Sequence, residues 1–522
     1  MKRRNFLKFA SSLAASRALP VGLSVSAAAK QAHAASPRYE NVNVVAPTVM
    51  PQVINIHMYG GASELAGNLT NIADIEENSQ NSYASAFGNR ILRTEEEAAL
   101  IGGQESQWEI TQHGFWRSAG GAHMEDMLGN RDMAVYRTIF KEKSPTRSHR
   151  ESIFMSHKGT TDIENSPGIG SRLALTMMLN ENIYSGASLA DGTSLGSLDD
   201  LVLPFVSFEG DTQTYALDPG YTVPLHLRGL TMDDRFNNPY SRNDSDSEDA
   251  IKALREQHLA ATQSSRGKYS GAWDGFEKRK GMADQMVDLR TLLGLDQNGN
   301  KVSPSSAENL GLPLQFRIRN DVATRVYPDN AFGRQLEAVV TLAIHNPQSL
   351  YMAVGTPGLG GWDDHNNGVD RYPNRMNQLM EALKVAMAHI RAAQAQGVTT
   401  IGQTTRNRTD NIVINVLGDF GRLVNLNGSN GWDHANNQNL YTFGGQGVRP
   451  EKERNAMGTT VGSTVRQGTS KTNNQYTVPA EGSVKFEPMS IASSIYGYFG
   501  VQNPEIMTDG DGRLEDGLPD SV

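Results

Sequence analysis

The chain has no cysteine among its 522 residues. That excludes disulfides, thiolate metal sites, a cysteine nucleophile and a formylglycine made from cysteine. It also has no apolar run near the ~18 residues that a membrane-spanning helix requires, and no Lys/Arg-rich block of the kind that grips a phosphate backbone. Aromatic residues are sparse, at 7%. With 48 basic and 57 acidic side chains the formal charge is −9, and the pI is near 5.8. A nucleic-acid binder and an integral membrane protein are therefore not expected. What remains is a soluble globular chain, 38% hydrophobic, whose stability must come from core size.

Charge is unevenly placed. Residues 1–34 carry six basic and no acidic groups, leaving 42 basic against 57 acidic, a balance of −15, for the remainder. Lys2-Arg3-Arg4-Asn5-Phe6-Leu7-Lys8 is a twin-arginine pattern. A mildly apolar Ala/Ser-rich stretch, interrupted by Arg17, leads to Ala32-His33-Ala34, a small-x-small cleavage site. Residues 1–34 read as a signal peptide for the twin-arginine machinery, and 35–522 as one domain with polar insertions. The expected destination is the periplasm or beyond.

Periodicity predicts an α/β fold with a mainly parallel sheet flanked by helices. Three short apolar runs, 52–58, 349–354 and 411–417, read as strands. Helices are expected over 168–179, 249–263, 274–294, 331–346 and 370–396, the last with Met376, Leu379, Met380, Leu383, Met387 and Ile390 on one stripe that reads as core. Residues 132–141 and 150–157 are short apolar segments, and 200–230 suggest short strands. Insertions are expected near 85–130, 185–250 and 449–485.

Each apolar strand runs into glycine and then polar residues: Gly60-Gly61-Ala62-Ser63-Glu64, Gly360-Gly361-Trp362-Asp363-Asp364-His365, and Gly418-Asp419-Phe420-Gly421-Arg422. In open α/β sheets the ligand crevice lies beyond the carboxyl ends of the strands, so the three loops should converge. Asp363 and His365, two apart at a strand end, can face one cation. Asp419 follows another strand, and Asp433-His434 lies in a Gly/Asn-rich loop. Carboxylates and imidazoles without thiolates suit a divalent ion such as Zn or Mn. The same aspartates also suit turn or helix caps. Arg422 reads equally as an anchor for an anionic substrate or as a surface ion pair. Asp296-Gln-Asn-Gly-Asn300 and Asp509-Gly-Asp-Gly512 lack the full calcium-loop spacing and read as turns.

Several motifs carry a family resemblance. The runs Tyr327-Pro-Asp-Asn-Ala-Phe-Gly-Arg-Gln-Leu336, Gly360-Gly-Trp-Asp-Asp-His365, Gly418-Asp-Phe-Gly-Arg422, Asn427-Gly-Ser-Asn-Gly-Trp-Asp-His434 and Phe443-Gly-Gly445 resemble the exported family called "domain of unknown function 1501". That family is similar to the alkaline phosphatase/sulfatase superfamily. Pro145-Thr-Arg-Ser-His149 and His57-Met-Tyr-Gly-Gly-Ala-Ser63 resemble two further segments of it. The resemblance implies an alkaline phosphatase-like fold and a metal-dependent hydrolase of phosphate or sulfate esters. Asp363, His365 and His434 match one metal position, and Asp419 matches part of a second, with Asp433 near the ion. Arg147, Ser148 and His149 match a catalytic segment: Ser148 as hydroxyl nucleophile with Arg147 clamping an oxyanion, or else Ser148 or Thr146 as a helix cap.

The chain departs from the family at three places. Phe420 stands where the second metal's histidine would be, Ser63 where many relatives have Asp, and Lys143 where sulfatases carry the formylglycine precursor. The departures leave one divalent ion rather than two. They also support an alternative from another class: an exported scaffold or binding protein that kept the fold and lost the site.

Overall fold

The computed structural model describes residues 41–68, 110–237, 253–254, 257, 281–282, 285–290, 293, 295, 327–394, 398–401, 404–407, 409–429, 431–467 and 476–520. The expected signal peptide, the turn at 296–300 and most of the helices expected over 249–263 and 274–294 lie outside them; residues 253–254, 257, 281–282 and 285–290 of those helices are helical.

The strands in chain order are β1 (Gln52–Met58), β2 (Met133–Phe140), β3 (Phe205–Ser207), β4 (Leu230–Thr231), β5 (Tyr351–Val354), β6 (Val398–Ile401), β7 (Thr404–Asn407), β8 (Ile412–Gly418), β9 (Gly421–Leu426), β10 (Trp432–Ala435), β11 (Asn437–Gly444), β12 (Thr460–Val461), β13 (Thr464–Gln467) and β14 (Tyr476–Pro479). Eight of them form the central sheet, in the order β12-β2-β11-β8-β1-β5-β3-β4. β1 pairs in parallel with β5 and β8, β3 with β4 and β5, and β12 with β2. Only β11 runs against its neighbours, β2 and β8. β2, β8, β1 and β5 therefore all end on the same edge. The sheet is mixed but mostly parallel, as the α/β expectation requires.

The longer helices are α1 (Ala122–Gly129), α2 (His149–Lys158), α3 (Ile169–Leu179), α4 (Ala331–His345), α5 (Gly368–Gln394) and α6 (Pro488–Tyr498). Alternation along each strand splits the core in two. Ile54, Ile56, Met352, Val354, Ile414 and Val416 face a layer built from α1, α4 and α5, including the whole Met376-to-Ile390 stripe. Val53, Tyr351, Val413 and Leu417 face α3 and α6 on the other side. Strands covered on both faces read as unbroken apolar runs, which is why β1, β5 and β8 stand out in the sequence. No described helix is long and apolar enough to cross a membrane.

Two sequence expectations need correction. Residues 449–485 do not form a purely surface excursion: β12 closes the sheet edge beside β2. The long central strand β11 was not among the predicted strands. Its Asn437, Gln438 and Asn439 are buried, at 0%, 3% and 4% exposure, and their side-chain amides are used within the fold. Polar residues at the start of a strand hide it from any apolar-run criterion.

β9 begins at Gly421, which lies against the start of β11. A Cβ on Gly421 would lie 1.4 Å from the Asn437 carbonyl oxygen, where nothing flexible can yield. Gly421→Ala is expected to cost about 3 kcal/mol or more through backbone displacement. Chemical denaturation should show the loss as a lower midpoint, with the slope unchanged.

Candidate metal centre

The loops leaving β1, β2, β5 and β8, together with the β9–β10 hairpin, meet at the carboxyl edge of the sheet. β1 and β8 are in register with Met58 opposite Gly418, so Gly60 reaches the Asp419 carboxylate with its N–H, at 3.0 Å. Gly60 has φ +115°, and a Cβ there would lie 2.4 Å from the Asp363 nitrogen. Only glycine allows the first loop to lie this close to the second. The Trp362 N–H donates to the Tyr59 carbonyl at 3.0 Å and locks the two loops together. In the hairpin His434 sits opposite Arg422, and a register shift between Trp432 and His434 leaves Asp433 on the open side. Asn427 closes the hairpin: its Oδ1 accepts from the N–H groups of Ser429 and Gly431, and its Nδ2 donates to the His365 carbonyl and to Asp433.

Four side chains converge there. His149, Asp363, His365 and His434 each offer a ligand atom, all within 4.8 Å of one another. Asp363 Oδ1 lies 3.1 Å from His365 Nε2, and 3.4 Å from both His434 Nε2 and His149 Nε2. Ligand atoms around a tetrahedral zinc, each about 2.0–2.1 Å from it, are roughly 3.3 Å apart, so three edges of the cluster already have that size.

The hydrogen bonds on the far side of each ring decide which nitrogen faces inward. His149 Nδ1 is 2.8 Å from Asp419 Oδ2, His365 Nδ1 is 2.9 Å from Asp433 Oδ1, and His434 Nδ1 is 2.8 Å from the Arg147 carbonyl oxygen. A carboxylate and a carbonyl can only accept, so every Nδ1 must carry a hydrogen and a neutral ring presents a bare lone pair at Nε2. His365 Nε2 and His434 Nε2 are nevertheless only 2.8 Å apart. Two lone pairs at that distance repel unless a cation lies between them. His149 Nε2 is buried without a hydrogen-bond partner. The donor set thus fits a divalent ion: three oriented imidazoles and one carboxylate.

The electrostatics agree at His434 and Asp363. Burial, and after it the Arg422 charge, holds the His434 imidazole below its usual value, which keeps the ring neutral. Burial opposes ionisation of Asp363, but the Arg422 hydrogen bond and charge outweigh it and hold the carboxyl below the usual range. For Asp419, 0% exposed, desolvation is likewise overcome by hydrogen bonds from His149 and His57, and its pKa falls to about 2. The hydrogen bond to Asp419 raises the His149 value.

The structure redistributes the roles expected from sequence. Asp363, His365 and His434 come together as expected, and the fourth donor is His149, from the segment matched to catalysis. Asp419 and Asp433 lie outside the group of four and grip its histidines instead. Asp419 also holds His57 Nε2, at 2.9 Å. Ser148 caps α2, its Oγ accepting from the Glu151 N–H at 3.5 Å. Arg147 contributes its carbonyl. Ser63 caps the short turn at Glu64–Gly67. Lys143 Nζ donates to the Asp509 carbonyl at 2.9 Å and pairs with Asp511 at 2.8 Å.

Arg422 is not a surface pair. It is 0% exposed and donates to the carbonyls of Gly60, Gly61, Trp362 and Trp432 and to Asp363, so one guanidinium ties three loops to the Asp363 carboxylate. The Phe420 ring packs against His434, with centroids 4.3 Å apart, and against His149, 4.8 Å away. His57 was the supporting residue that sequence reasoning missed; its place one strand end from Asp419 was the available signal.

No protein-family model matches the chain, and no curated protein does. A solved structure titled "Crystal structure of Ps i-CgsB" aligns over 89% of this chain and 75% of that one, with 12% identity and a TM-score of 0.31.

Replacing Asp419 with Asn removes a buried negative charge but keeps a hydrogen-bonding side chain. Loss of a carboxylate behind a metal-binding histidine typically weakens metal affinity 10–100-fold. Asp419→Asn is expected to do so in a chelator-competition titration with Zn, whereas an Asp433→Asn change, on a half-exposed residue, should have the smaller effect.

Proposed function

We propose that this chain is an exported, single-ion hydrolase of phosphate or sulfate esters, on an alkaline phosphatase-like version of its α/β architecture. The observation that carries the reading is the convergence of three histidine Nε2 atoms on one carboxylate oxygen, each ring held at Nδ1 by an acceptor. The nitrogen-rich donor set favours Zn over Mn.

A divalent ion held by His149, Asp363, His365 and His434 supplies Lewis acidity at an ester oxygen and a water activated near neutral pH. The protein's own residues do the rest. Asp419, Asp433 and the Arg147 carbonyl keep the three rings in one tautomer. Arg422 keeps Asp363 ionised and its loop closed. The Asp363 side chain is 46% exposed and that of His365 36%, so the cluster is open to a substrate from solvent. Ser148 and Thr146 are occupied in capping contacts at the start of α2, which leaves water as the attacking oxygen. Lys143 is a strut to the 509–511 loop. That favours phosphate esters, because the formylglycine route to sulfate esters is closed at this position. The twin-arginine pattern of residues 1–34 supports export of the folded, metal-loaded chain.

The same Phe420 and Lys143 contacts favour the second reading, an exported scaffold or binding protein that kept the fold and lost the site. Metal analysis and an assay separate the two. Purified protein is expected to hold about one equivalent of Zn or Mn and to hydrolyse an aryl phosphate. Asp363→Ala and His434→Ala should each lose metal and activity together. Metal at 100 times its Kd should add about 2.7 kcal/mol of stability to the parent and none to the variants. Metal without turnover on phosphate, phosphodiester or sulfate esters supports the scaffold. No metal and no thermal shift with added ions overturns the hydrolase and supports the scaffold.

A further inference from the structure

β2 and α2 are joined by residues 141–148, and this loop supplies two parts of the metal centre. It ends at Ser148, the cap from which α2 projects His149, and its Arg147 carbonyl holds His434 Nδ1. The loop itself has no regular secondary structure, so something must fix its path.

Lys141 is the first residue of the loop and only 1% exposed. Its backbone N–H donates to the Asn436 carbonyl at 3.1 Å, at the entry to β11. Its Nζ donates to the Thr146 carbonyl at 2.6 Å and to Ser152 Oγ at 2.7 Å. The first bond closes the loop on itself, one residue before Arg147. The second joins the loop to the first turn of α2, one residue beyond Glu151, whose N–H is capped by Ser148. The same ammonium lies 5.0 Å from the centroid of the Phe420 ring, the ring packed on His149 and His434.

We infer that Lys141 is a positioning residue for the metal centre, setting His149 and the acceptor for His434 through the loop it closes. The inference rests on the metal-site reading above and deepens it. A buried lysine is an expensive way to make two hydrogen bonds unless both are needed. Burial lowers its pKa to about 7, and a neutral amine still has two N–H groups for its two acceptors. The residue can therefore hold the loop with or without its charge.

The test compares the Zn affinity of folded, full-length protein by chelator competition, and the visible spectrum of the Co-loaded form, in K141M, K141R and the parent. Lys141→Met keeps length and apolar bulk but loses both donors. It is expected to weaken Zn binding about tenfold or more and to change the Co spectrum. Lys141→Arg, which keeps donors on the stem, should recover most of that loss. Tyr184→Phe is the control. It removes a buried donor to the Phe499 carbonyl, a bond that involves no residue of the 141–148 loop, and should lower Tm without moving Zn affinity.

If Lys141→Met does not give folded protein, Ser152→Ala tests the same tether and should weaken Zn binding about threefold, less than the roughly 10–100-fold of a direct supporting residue, because the bond from Lys141 to the Thr146 carbonyl remains. Zn affinity in Lys141→Met or Ser152→Ala equal to the parent's overturns the inference and leaves the metal site standing. An equal loss in Tyr184→Phe also overturns it, because the effect would then be general destabilisation. A parent that binds no Zn overturns the metal-site reading first and this inference with it.

Discussion

An imidazole whose Nδ1 hydrogen is given to an acceptor has only a lone pair left on its other side. In this protein that constraint is imposed three times around one point, by the Asp419 carboxylate, the Asp433 carboxylate and the Arg147 carbonyl. The result is a pocket of bare donors that repel one another, with His365 Nε2 and His434 Nε2 just 2.8 Å apart. Such an arrangement is costly without a positive charge at its centre. The other features of the edge serve either to hold the acceptors in place or to keep the rings from turning away.

The sheet makes this possible because four strands end together. β1 brings Gly60 and His57 to Asp419, β5 leads to Asp363 and His365, β8 ends in Asp419 and Phe420, and β2 feeds the loop with Arg147 and His149. Arg422 then bonds the carbonyls of Gly61 after β1, Trp362 after β5 and Trp432 in β10, as well as Asp363. A guanidinium with five donors in a rigid fork is the one side chain able to satisfy so many converging acceptors at once. Its charge also offsets the cluster of aspartates, whose mutual repulsion would otherwise raise their protonation.

Much of the frame was legible in the sequence. β1 was recovered over its whole length and α3, α4, α5 and β8 to within about two residues, because strands covered on both faces and helices with one apolar stripe leave strong periodic patterns. β11 was not legible. Its buried Asn437, Gln438 and Asn439 make side-chain hydrogen bonds within the fold, so a central strand carries the composition of a loop. α1 and β12 were similarly hidden in stretches expected to be insertions, since eight-residue and two-residue elements are too short for a period to show.

The sequence by itself determined the chemical inventory: no thiol, a set of Asp and His residues just beyond apolar strands, and the glycines that let those strand ends approach one another. Tertiary structure decided which of these residues touches the centre and which stands behind it. Asp419 was expected at the ion and instead supports His149, while His149 was expected in the catalytic segment and instead joins the donors. Whether a carboxylate binds an ion or orients a histidine depends on about 3 Å of displacement, roughly one hydrogen-bond length. His149 and Asp419 are 270 positions apart, and a separation of that size along the chain carries no information at ångström scale. The packing of the sheet supplies it.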